Sequence, residues 1–424
     1  MRADSLHRLM KVLVDGGEAE SVEAAAAMFS KYGIRLTLGK DVATSVALQV
    51  IALTVINTAA RSFQGNVHVE GYRDVILLAP GFEGMRLADF CAWAGVKAAC
   101  TTAPSWPEVL VGEIDRSSRD TVLVPWADGW TIGVGPPPRA AAKVFAPACV
   151  AAGALAVSEA FSLLRRDNPC AGRRAVTFSL WSMKPDLAQP PEGTSAALND
   201  DLWLVGLGHL GQAYCWTLGL MQHRAGTRLL MQDVDAVTES TLSTSVLSAP
   251  VDIGREKTRV VADWMEHRGF KTRIVERRFD AATRVAPGEP ATALFGVDNA
   301  AARRACEAAG FSRVLDAGLG AGYRDFRAMR VRGFPGASSA DKIWAHDPAS
   351  SAAPVVARAY EALLAAGTDP CGVTTLATRA VGAPFVGCYA SAVLIAELLR
   401  RQSGMAGRDV IDINLRSPES AEVA

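Results

Sequence analysis

Three glycines near the middle of the chain have the spacing of a phosphate-binding turn. Gly206, Gly208 and Gly211 lie between the apolar run DLWLV and a segment whose apolar residues recur at helical spacing. Such glycines let backbone amides approach a phosphate at the positive end of a helix. Asp233 ends the next apolar run, RLLMQD, where a carboxylate can accept hydrogen bonds from ribose hydroxyls. These residues predict a nucleotide site. The alternative is a turn that serves only close packing of a strand on a helix.

Further motifs follow the glycines in order. The chain reads DVDAVTESTLSTSVLSAPVDIGREK, then FGVDNAAARRACEAAG, then RVLDAGLG. Together they resemble the adenylation domain shared by ThiF, MoeB and the ubiquitin-activating enzymes. That family runs G-x-G-x-x-G, D-x-D-x-V-x-x-S-N-L-x-R-Q, G-x-x-K and D-N-x-x-x-R. The resemblance covers about residues 200–332 and resumes at about 370–401, and several elements in order are far more specific than one glycine motif.

The resemblance implies ATP and Mg²⁺ as cofactors. A cation and Mg²⁺ offset the charge that builds on the α-phosphate and on leaving pyrophosphate when a carboxylate attacks. By the resemblance, Lys257 would lie on the phosphates and Asp298 would bind Mg²⁺. Asn299 and Arg303 would shape the site around the reacting phosphate. The other nucleotide-binding residues would be Gly206, Gly208, Gly211, Asp233 and Asp235.

Several of these residues also have a purely structural interpretation. Lys257 falls on a predicted helix surface, where lysines are usually solvated. Asp298 could cap the helix that begins near Ala300, and Arg303 could pair with Glu307 one turn on. The shared spacing favours the functional interpretation.

The chain departs from the family pattern at the phosphate clamp. Where the family has Asn and Arg, this sequence has Thr241 and Thr244. Loss of a guanidinium that binds a phosphate in bidentate fashion is not conservative. Adenylation is therefore impaired, or a cation comes from elsewhere. In relatives an arginine reaches in from the partner subunit's N-terminal helix, so Arg2 and Arg8 are the candidates here.

Cys371 is the candidate for carrying an acyl thioester. It follows the irregular segment GFPGASSADKIWAHDPASSAAP and precedes a long apolar helix. This context resembles the autophagy-type activating enzymes. A thiolate there would be favoured by Arg379 and a helix N-terminus; the alternative is a packed, inert cysteine. Cys215, Cys306 and Cys388 fall on helices and are expected in the core.

The second half alternates short strands and helices. Helices are predicted from Leu210 to Met221, at about residues 255–267 and at about 300–309, with strands at RIVERRF, ATALFGVD and RVLDAG. This pattern predicts a doubly wound, Rossmann-like α/β domain. A last, buried helix begins after Pro384.

The first half repeats these elements in weaker form, without a phosphate-binding glycine triad. Its end, FAPACVAAGALAVSEAFSLLRR, echoes APFVGCYASAVLIAELLRR at the end of the chain, which indicates a diverged internal duplication. We therefore predict two adenylation-type domains forming a pseudo-dimer, of which the N-terminal one is degenerate. The predicted boundaries are 1–185, a linker at 186–200, and 201–424 with a crossover loop at about 335–372.

Composition sets limits on partners. The 424 residues exceed one ordinary core, and 44 Lys+Arg balance 44 Asp+Glu, so attraction to nucleic acid or to an anionic membrane is not indicated. No pair of the eight cysteines forms C-x-x-C, and the N-terminus lacks a signal-peptide apolar region. A cytoplasmic protein with reduced thiols is expected.

These features lead to one functional hypothesis and three alternatives. The resemblance implies adenylation of the C-terminal glycine of a small ubiquitin-like protein, transfer to Cys371, and delivery to a conjugating enzyme in a bacterial pathway linked to antiphage defence. The alternatives are an adenylyltransferase for sulfur-carrier chemistry, a nucleotide-binding scaffold without catalysis, and, least favoured, a nicotinamide dehydrogenase. The sequence leaves open the identity of the partner and whether the pseudo-dimer forms a homodimer.

Overall fold

The structure is a computed structural model that describes residues 6–71, 74–98, 102–114, 122–136, 143–345 and 357–424. It is a mixed α/β protein. The helices of these ranges are α1 (Lys11–Asp15), α2 (Val22–Phe29), α3 (Val46–Ser62), α4 (Leu87–Ala94), α5 (Ala146–Arg165), α6 (His209–Gly219), α7 (Glu239–Leu242), α8 (Lys257–Glu266), α9 (Ala300–Arg304), α10 (Ala340–Ile343), α11 (Arg358–Ala365), α12 (Pro370–Thr378) and α13 (Pro384–Gln402).

The strands form a four-stranded sheet of order β2-β1-β3-β4, a three-stranded sheet of order β5-β6-β7 and an eight-stranded sheet of order β10-β9-β8-β11-β12-β13-β14-β15. Their bounds are β1 (Ile34–Leu38), β2 (Val67–Gly71), β3 (Glu108–Val111), β4 (Val122–Leu123), β5 (Pro125–Asp128), β6 (Thr131–Val134), β7 (Val176–Ser179), β8 (Leu202–Val205), β9 (Arg228–Gln232), β10 (Lys271–Val275), β11 (Thr292–Phe295), β12 (Arg313–Leu319), β13 (Ala328–Phe334), β14 (Val410–Asn414) and β15 (Glu422–Val423).

The centre of the eight-stranded sheet is parallel. In register, Leu202 of β8 lies opposite Leu229 of β9 and Thr292 of β11. Every residue of β8 and of β11 is buried, as expected for strands covered on both faces. The carboxyl ends of β8, β9 and β11 meet at one edge, and open α/β sheets bind ligands at such an edge.

The two halves of the chain share part of their order of elements. β1 lies between β2 and β3, parallel to both, as β8 lies between β9 and β11. In each half the helix after the first strand carries a glutamine, Gln49 or Gln212, whose Oε1 accepts a backbone N–H from the segment after the second strand, at Leu78 or Leu247. Antiparallel strands β5-β6-β7 follow in the first half, as β12-β13-β14 do in the second.

The two long helices α5 and α13 pack against each other at the centre of the molecule. Both carry a proline in their first turn. Each buries a glutamate, Glu159 or Glu397, to 1% exposure. Glu159 accepts the backbone N–H of Gly172 at 3.0 Å, and Glu397 accepts that of Arg408 at 2.9 Å. The similarity of the two helices therefore extends from sequence to contacts.

Of the described helices, α5 is long and apolar enough to cross a membrane by length and composition. However, 89% of its apolar window is buried inside the molecule. It packs on α3 and α13, so its apolar character is that of a core helix.

The structure corrects three element predictions. The strand predicted at RIVERRF begins earlier, at Lys271, and ends at Val275, because its partner β9 ends opposite that residue at Gln232. The helix predicted to run to about residue 309 ends at Arg304. The predicted crossover loop contains α10, α11 and the start of α12; its residues 346–356 lie outside the described ranges.

Candidate functional site

The glycine turn connects β8 to α6, and its three glycines have different surroundings. Gly206 has φ +83°, and a Cβ there would lie 2.8 Å from a Val297 side-chain carbon. A Cβ at Gly211 would lie 1.9 Å from the Gly206 carbonyl oxygen. A Cβ at Gly208 would meet only the Lys257 Nζ, at 4.0 Å. Packing therefore explains Gly206 and Gly211, whereas Gly208 faces open space at the N-terminus of α6.

The Asp233 carboxylate holds this turn together. One oxygen accepts the Leu207 N–H at 2.6 Å, and the other accepts the N–H groups of Val234 and Asp235 at 2.7 and 2.8 Å. A carboxylate has about four acceptor positions, so these three bonds leave capacity for a ribose hydroxyl. Asp233 thus orders the end of β9 against the glycine turn.

Lys257, the first residue of α8, lies over the glycine turn. Its Nζ is 2.8 Å from Asp235 Oδ2, and its side chain is 12% exposed, against 61% for Asp235. Its backbone N–H donates to the Asp235 carbonyl oxygen at 2.9 Å. The alternative of a solvated surface lysine is therefore wrong. The structure brings Gly208, Asp233, Asp235 and Lys257 together at one end of the sheet.

The residues after β11 divide into two roles. Asp298 is exposed at the strand end. Asn299 Oδ1 accepts the N–H groups of Ala301 and Ala302 at 2.8 and 3.2 Å, so the helix cap is Asn299 and not Asp298. Among the described residues no group of three acidic, histidine or cysteine side chains could hold a metal ion. A cation at Asp298 would therefore take its other ligands from the nucleotide and from water.

The Arg303 guanidinium is held against β12. Its Nε donates to Asp316 Oδ1 at 2.9 Å, and its Nη2 donates to the Ala317 carbonyl oxygen at 2.9 Å. Burial raises the pKa of the Asp316 carboxyl, and the Arg303 guanidinium opposes that shift. The alternative pairing with Glu307 is wrong, because Glu307 accepts the Ala340 N–H instead. Arg303 thus ties α9 to β12.

Arg8 enters the site from the N-terminal segment. Its backbone N–H donates to Ser243 Oγ at 3.3 Å, and its Nε donates to the Ala380 carbonyl oxygen at 2.7 Å. Burial and the nearby Arg379 lower the pKa of Arg8 to about 10, and Asp298 opposes this. Within the described ranges, its two Nη nitrogens have no hydrogen-bond partner. Arg2, the other candidate, lies outside those ranges.

His209 lies beneath Arg8 and not on the open side of the turn. Its Nε2 approaches the place that a Cβ of Gly387 would occupy, at 2.5 Å. Burial, reinforced by the charge of Arg8, lowers its pKa to about 4, although a hydrogen bond with the Ala383 backbone opposes this. The imidazole is therefore neutral at neutral pH and packs between α6 and α13.

Sequence reasoning missed Arg61, which holds the segment that lies where the family has its phosphate clamp. Arg61 of α3 donates to the carbonyl oxygens of Ser248 at 2.7 Å and of Leu242 and Val246 at 3.2 Å. Burial lowers the pKa of Arg61 to about 10. Because these partners lie more than 180 residues apart in the chain, no local spacing signals the contact. Thr244, 5% exposed, is packed inside this segment.

Cys371 is exposed near the N-terminus of α12. The Asp369 side chain caps that helix by accepting the Gly372 N–H at 2.9 Å. Arg379 lies at the other end of α12, about 12 Å away at 1.5 Å per residue. The stabilisation of a Cys371 thiolate by Arg379 stays a prediction.

The three cysteines expected in the core are buried. Burial raises the pKa of Cys215 and of Cys388, and it raises that of Cys306 to about 12. These thiols stay protonated at neutral pH. Cys170 is also exposed, on the surface of the first half, and offers a natural comparison for Cys371.

Comparison with known proteins identifies the family. The BilD N-terminal domain matches residues 33–180, and the BilD C-terminal domain matches residues 198–405. The bacterial E1-like protein BilD of Collimonas sp. (strain OK412) is 38% identical over 413 residues, which cover 94% of this chain and 89% of the relative.

Solved structures give a more distant match. E. coli MccB, alone and with ATP, aligns with TM-scores of 0.36 and 0.34 at 13% identity. These alignments cover 53% of this chain and 62% and 63% of the MccB chain, less than two thirds of its length. On the two domain matches and the Collimonas relative, the chain belongs to the BilD family of bacterial E1-like proteins.

Proposed function

We propose that this protein adenylates the C-terminal carboxylate of a small ubiquitin-like protein with ATP. The observation that carries the proposal is the convergence of Gly208, Asp233 and Lys257 at the carboxyl ends of β8 and β9, with Arg8 close enough to Asp298 for their charges to interact. The E1-like name of the Collimonas relative supports the same class of activity.

The chemistry assigns a task to each group. A carboxylate oxygen attacks the α-phosphorus, the bond to the bridging oxygen breaks, and pyrophosphate leaves. Lys257 offsets negative charge on the phosphates, and the free backbone N–H groups at the start of α6 offer fixed donors. The Asp298 carboxylate suits Mg²⁺, which binds through one or two carboxylates and the phosphate oxygens.

Arg8 is the proposed replacement for the missing clamp arginine. Thr244 is buried within its own segment and too short to reach a phosphate, whereas the Nη nitrogens of Arg8 are unengaged within the described part of the chain. Its charge interacts with that of Asp298, the proposed metal ligand. A guanidinium here would bind phosphate in bidentate fashion.

Cys371 is the proposed acyl acceptor. Its thiol would attack the acyl adenylate, form a thioester and release AMP; a conjugating enzyme would then take the acyl group. Its exposure and its place in the first turn of a capped helix support this role.

The partly shared order of elements supports a pseudo-dimer with a degenerate first half. Leu87 begins α4, the helix described after β2, whereas Lys257 begins α8, which follows β9 and the short helix α7. At this helix start the described part of the first half has a leucine where the second half has a lysine. We propose that the first half contributes Arg8 and packing, not a second adenylation site.

Pyrophosphate exchange tests the activity directly. ATP–[³²P]pyrophosphate exchange is measured with candidate ubiquitin-like proteins, supplied singly, for wild type, Asp298→Ala, Arg8→Ala and Cys371→Ala. We expect exchange that needs a partner, Asp298 and Arg8 but survives loss of Cys371. A DTT-sensitive adduct on a non-reducing gel then reports the thioester.

One observation favours a second candidate function. Thr241 caps α7 by accepting the Thr238 N–H at 3.1 Å, and Thr244 is buried, so neither threonine is placed as a phosphate ligand. ATP binding without exchange, with every partner tested, would support a nucleotide-binding scaffold. Exchange with a sulfur-carrier protein, without any Cys371 adduct, would support the sulfur-transfer alternative.

A further inference from the structure

A buried lysine links the N-terminal segment to the helices that follow residue 357. The Lys11 ammonium is 1% exposed and has three partners: Tyr360 Oη at 2.5 Å, the Leu376 carbonyl oxygen at 2.7 Å and Asp15 Oδ1 at 3.1 Å. Tyr360 also donates to Asp15 Oδ1 at 2.7 Å. We name Lys11, Asp15, Tyr360 and the Leu376 carbonyl the Lys11 cluster.

The Lys11 cluster holds the C-terminal end of α12. Leu376 lies in the last turn of that helix, and Ala380 follows it. Their carbonyl oxygens accept from Lys11 Nζ and from Arg8 Nε. Cations at a helix C-terminus are favourable because the last carbonyls carry partial negative charge. Two cations from one stretch of the N-terminal segment thus bind one helix end.

Arg8 and Lys11 are three residues apart, so they lie on the same side of a helical turn. The Nε of Arg8 donates to the Ala380 carbonyl oxygen, two residues past the end of α12, and its backbone N–H donates to Ser243 Oγ, next to Thr244. The position of Arg8 therefore depends on where α12 ends, and the Lys11 cluster fixes that place.

We propose that Lys11 is a positioning residue for the nucleotide site: by anchoring the end of α12 to α1 and α11, it fixes the Ala380 carbonyl oxygen that holds the Arg8 guanidinium. Its activity readout rests on the proposed adenylation function, whereas its structural readout does not. The partner that Arg8 would receive is the α-phosphate region of ATP.

Burying the Lys11–Asp15 ion pair costs free energy of desolvation. The pair is therefore weak evidence that this cluster serves stability alone. Removing two charges from water costs several kcal/mol per ion, and apolar replacements of buried pairs are often neutral or stabilising. A buried polar network instead specifies one arrangement of the parts it joins. Here it joins α1, α11 and α12, and α12 also carries Cys371.

Hydrogen exchange tests the structural half of the proposal on the full-length protein. Amides of residues 372–380 are compared in wild type, Tyr360→Phe and Lys11→Met, with the exposed Lys31→Met as matched control. We expect at least about tenfold faster exchange in both cluster variants and no change in Lys31→Met. Tyr360→Phe keeps the Lys11–Asp15 pair, so it provides a second, milder test if Lys11→Met does not fold. Unchanged exchange in both cluster variants overturns the proposal, whether or not the protein adenylates anything.

A double-mutant cycle tests the functional half. ATP affinity is measured for Lys11→Met, Arg8→Ala and the double variant. If Lys11 acts through Arg8, Lys11→Met weakens ATP binding about fivefold or more alone and less than about twofold in the Arg8→Ala background. Full additivity overturns the positioning role. If the cluster variants show fast exchange in α12 but the wild-type protein does not bind ATP, the structural role of Lys11 is supported and the proposed function is contradicted.

Discussion

At the scale of single residues, Lys257 is the cation that the structure places nearest the glycine turn. Its Nζ lies within 4.0 Å of the Cβ position of Gly208. We expect Lys257→Met to lower ATP affinity by about tenfold or more, equivalent to about 1.4 kcal/mol, because it removes a charge-assisted phosphate contact. Calorimetric titration with ATP measures this. Lys271→Met, at an exposed lysine that begins β10, is the control, and equal affinities in the two variants would contradict the assignment.

Two half-buried histidines make stability depend on pH. Burial lowers the pKa of His7 and of His209 to about 4, from an ordinary value of 6.5. Between pH 6.5 and 4 these two histidines are therefore protonated to a greater extent in the unfolded chain than in the folded chain. The free energy of unfolding falls as pH decreases through this window, by at most about 1.4 kcal/mol per pH unit for each histidine, and neither contributes above it.

The histidine effect is measured by urea unfolding at pH 7 and pH 5. His209→Gln should lose less stability than wild type over this range, because it removes one of the two groups. His267→Gln, at an exposed histidine, should follow wild type. A His209→Gln slope equal to the wild-type slope would refute the assignment.

Comparing the two exposed cysteines distinguishes the solvent accessibility of a thiol from a role of that thiol in acyl transfer. Cys371 and Cys170 are both exposed, so both should react with iodoacetamide in the folded protein, ahead of the buried Cys215 and Cys388. We expect Cys371→Ser to abolish the DTT-sensitive adduct and Cys170→Ser to retain it. An adduct that survives Cys371→Ser would place the acyl acceptor elsewhere.

At the scale of elements, α3 of the first half holds the clamp segment of the second. We expect Arg61→Leu to destabilise the protein by about 2–4 kcal/mol, because it leaves the buried Leu242 and Ser248 carbonyl oxygens without their side-chain donor. Chemical unfolding measures the loss. Arg86→Leu removes an exposed pair with Asp74 and should cost less than about 0.5 kcal/mol.

At the scale of the whole molecule, one hydrophobic core crosses from the first half into the second. The facing sides of α5 and α13 are buried against each other. We expect residues 201–424 expressed alone to bind ANS or aggregate, because the α13 face loses its cover. Co-expressed halves should elute as one complex from a sizing column. A soluble 201–424 fragment with a cooperative thermal transition would contradict this.

The sequence by itself determined many of the elements and the glycine turn between two of them. Apolar runs and glycine spacing placed β8, the turn and α6, because these depend on neighbours in the chain. The similarity of α5 and α13 could also be seen in the sequence, and the structure shows the same similarity in the backbone contacts of Glu159 and Glu397. Boundaries were less predictable: β10 ends where its partner ends, and an Ala-rich run did not extend α9 past Arg304.

Only the tertiary structure decided what each cation contacts. Arg303 binds Asp316 and not Glu307, and Lys257 pairs with Asp235. Arg8 Nε donates to the Ala380 carbonyl oxygen, 372 residues away in the chain. Lys11 meets Tyr360 across 349 residues. Lysine and arginine side chains are long and flexible, so each can reach several acceptors, and the spacing of residues along the chain does not show which acceptor is bound. The packing of α5 on α13 brings the two halves together, and this determines which acceptor each lysine or arginine contacts.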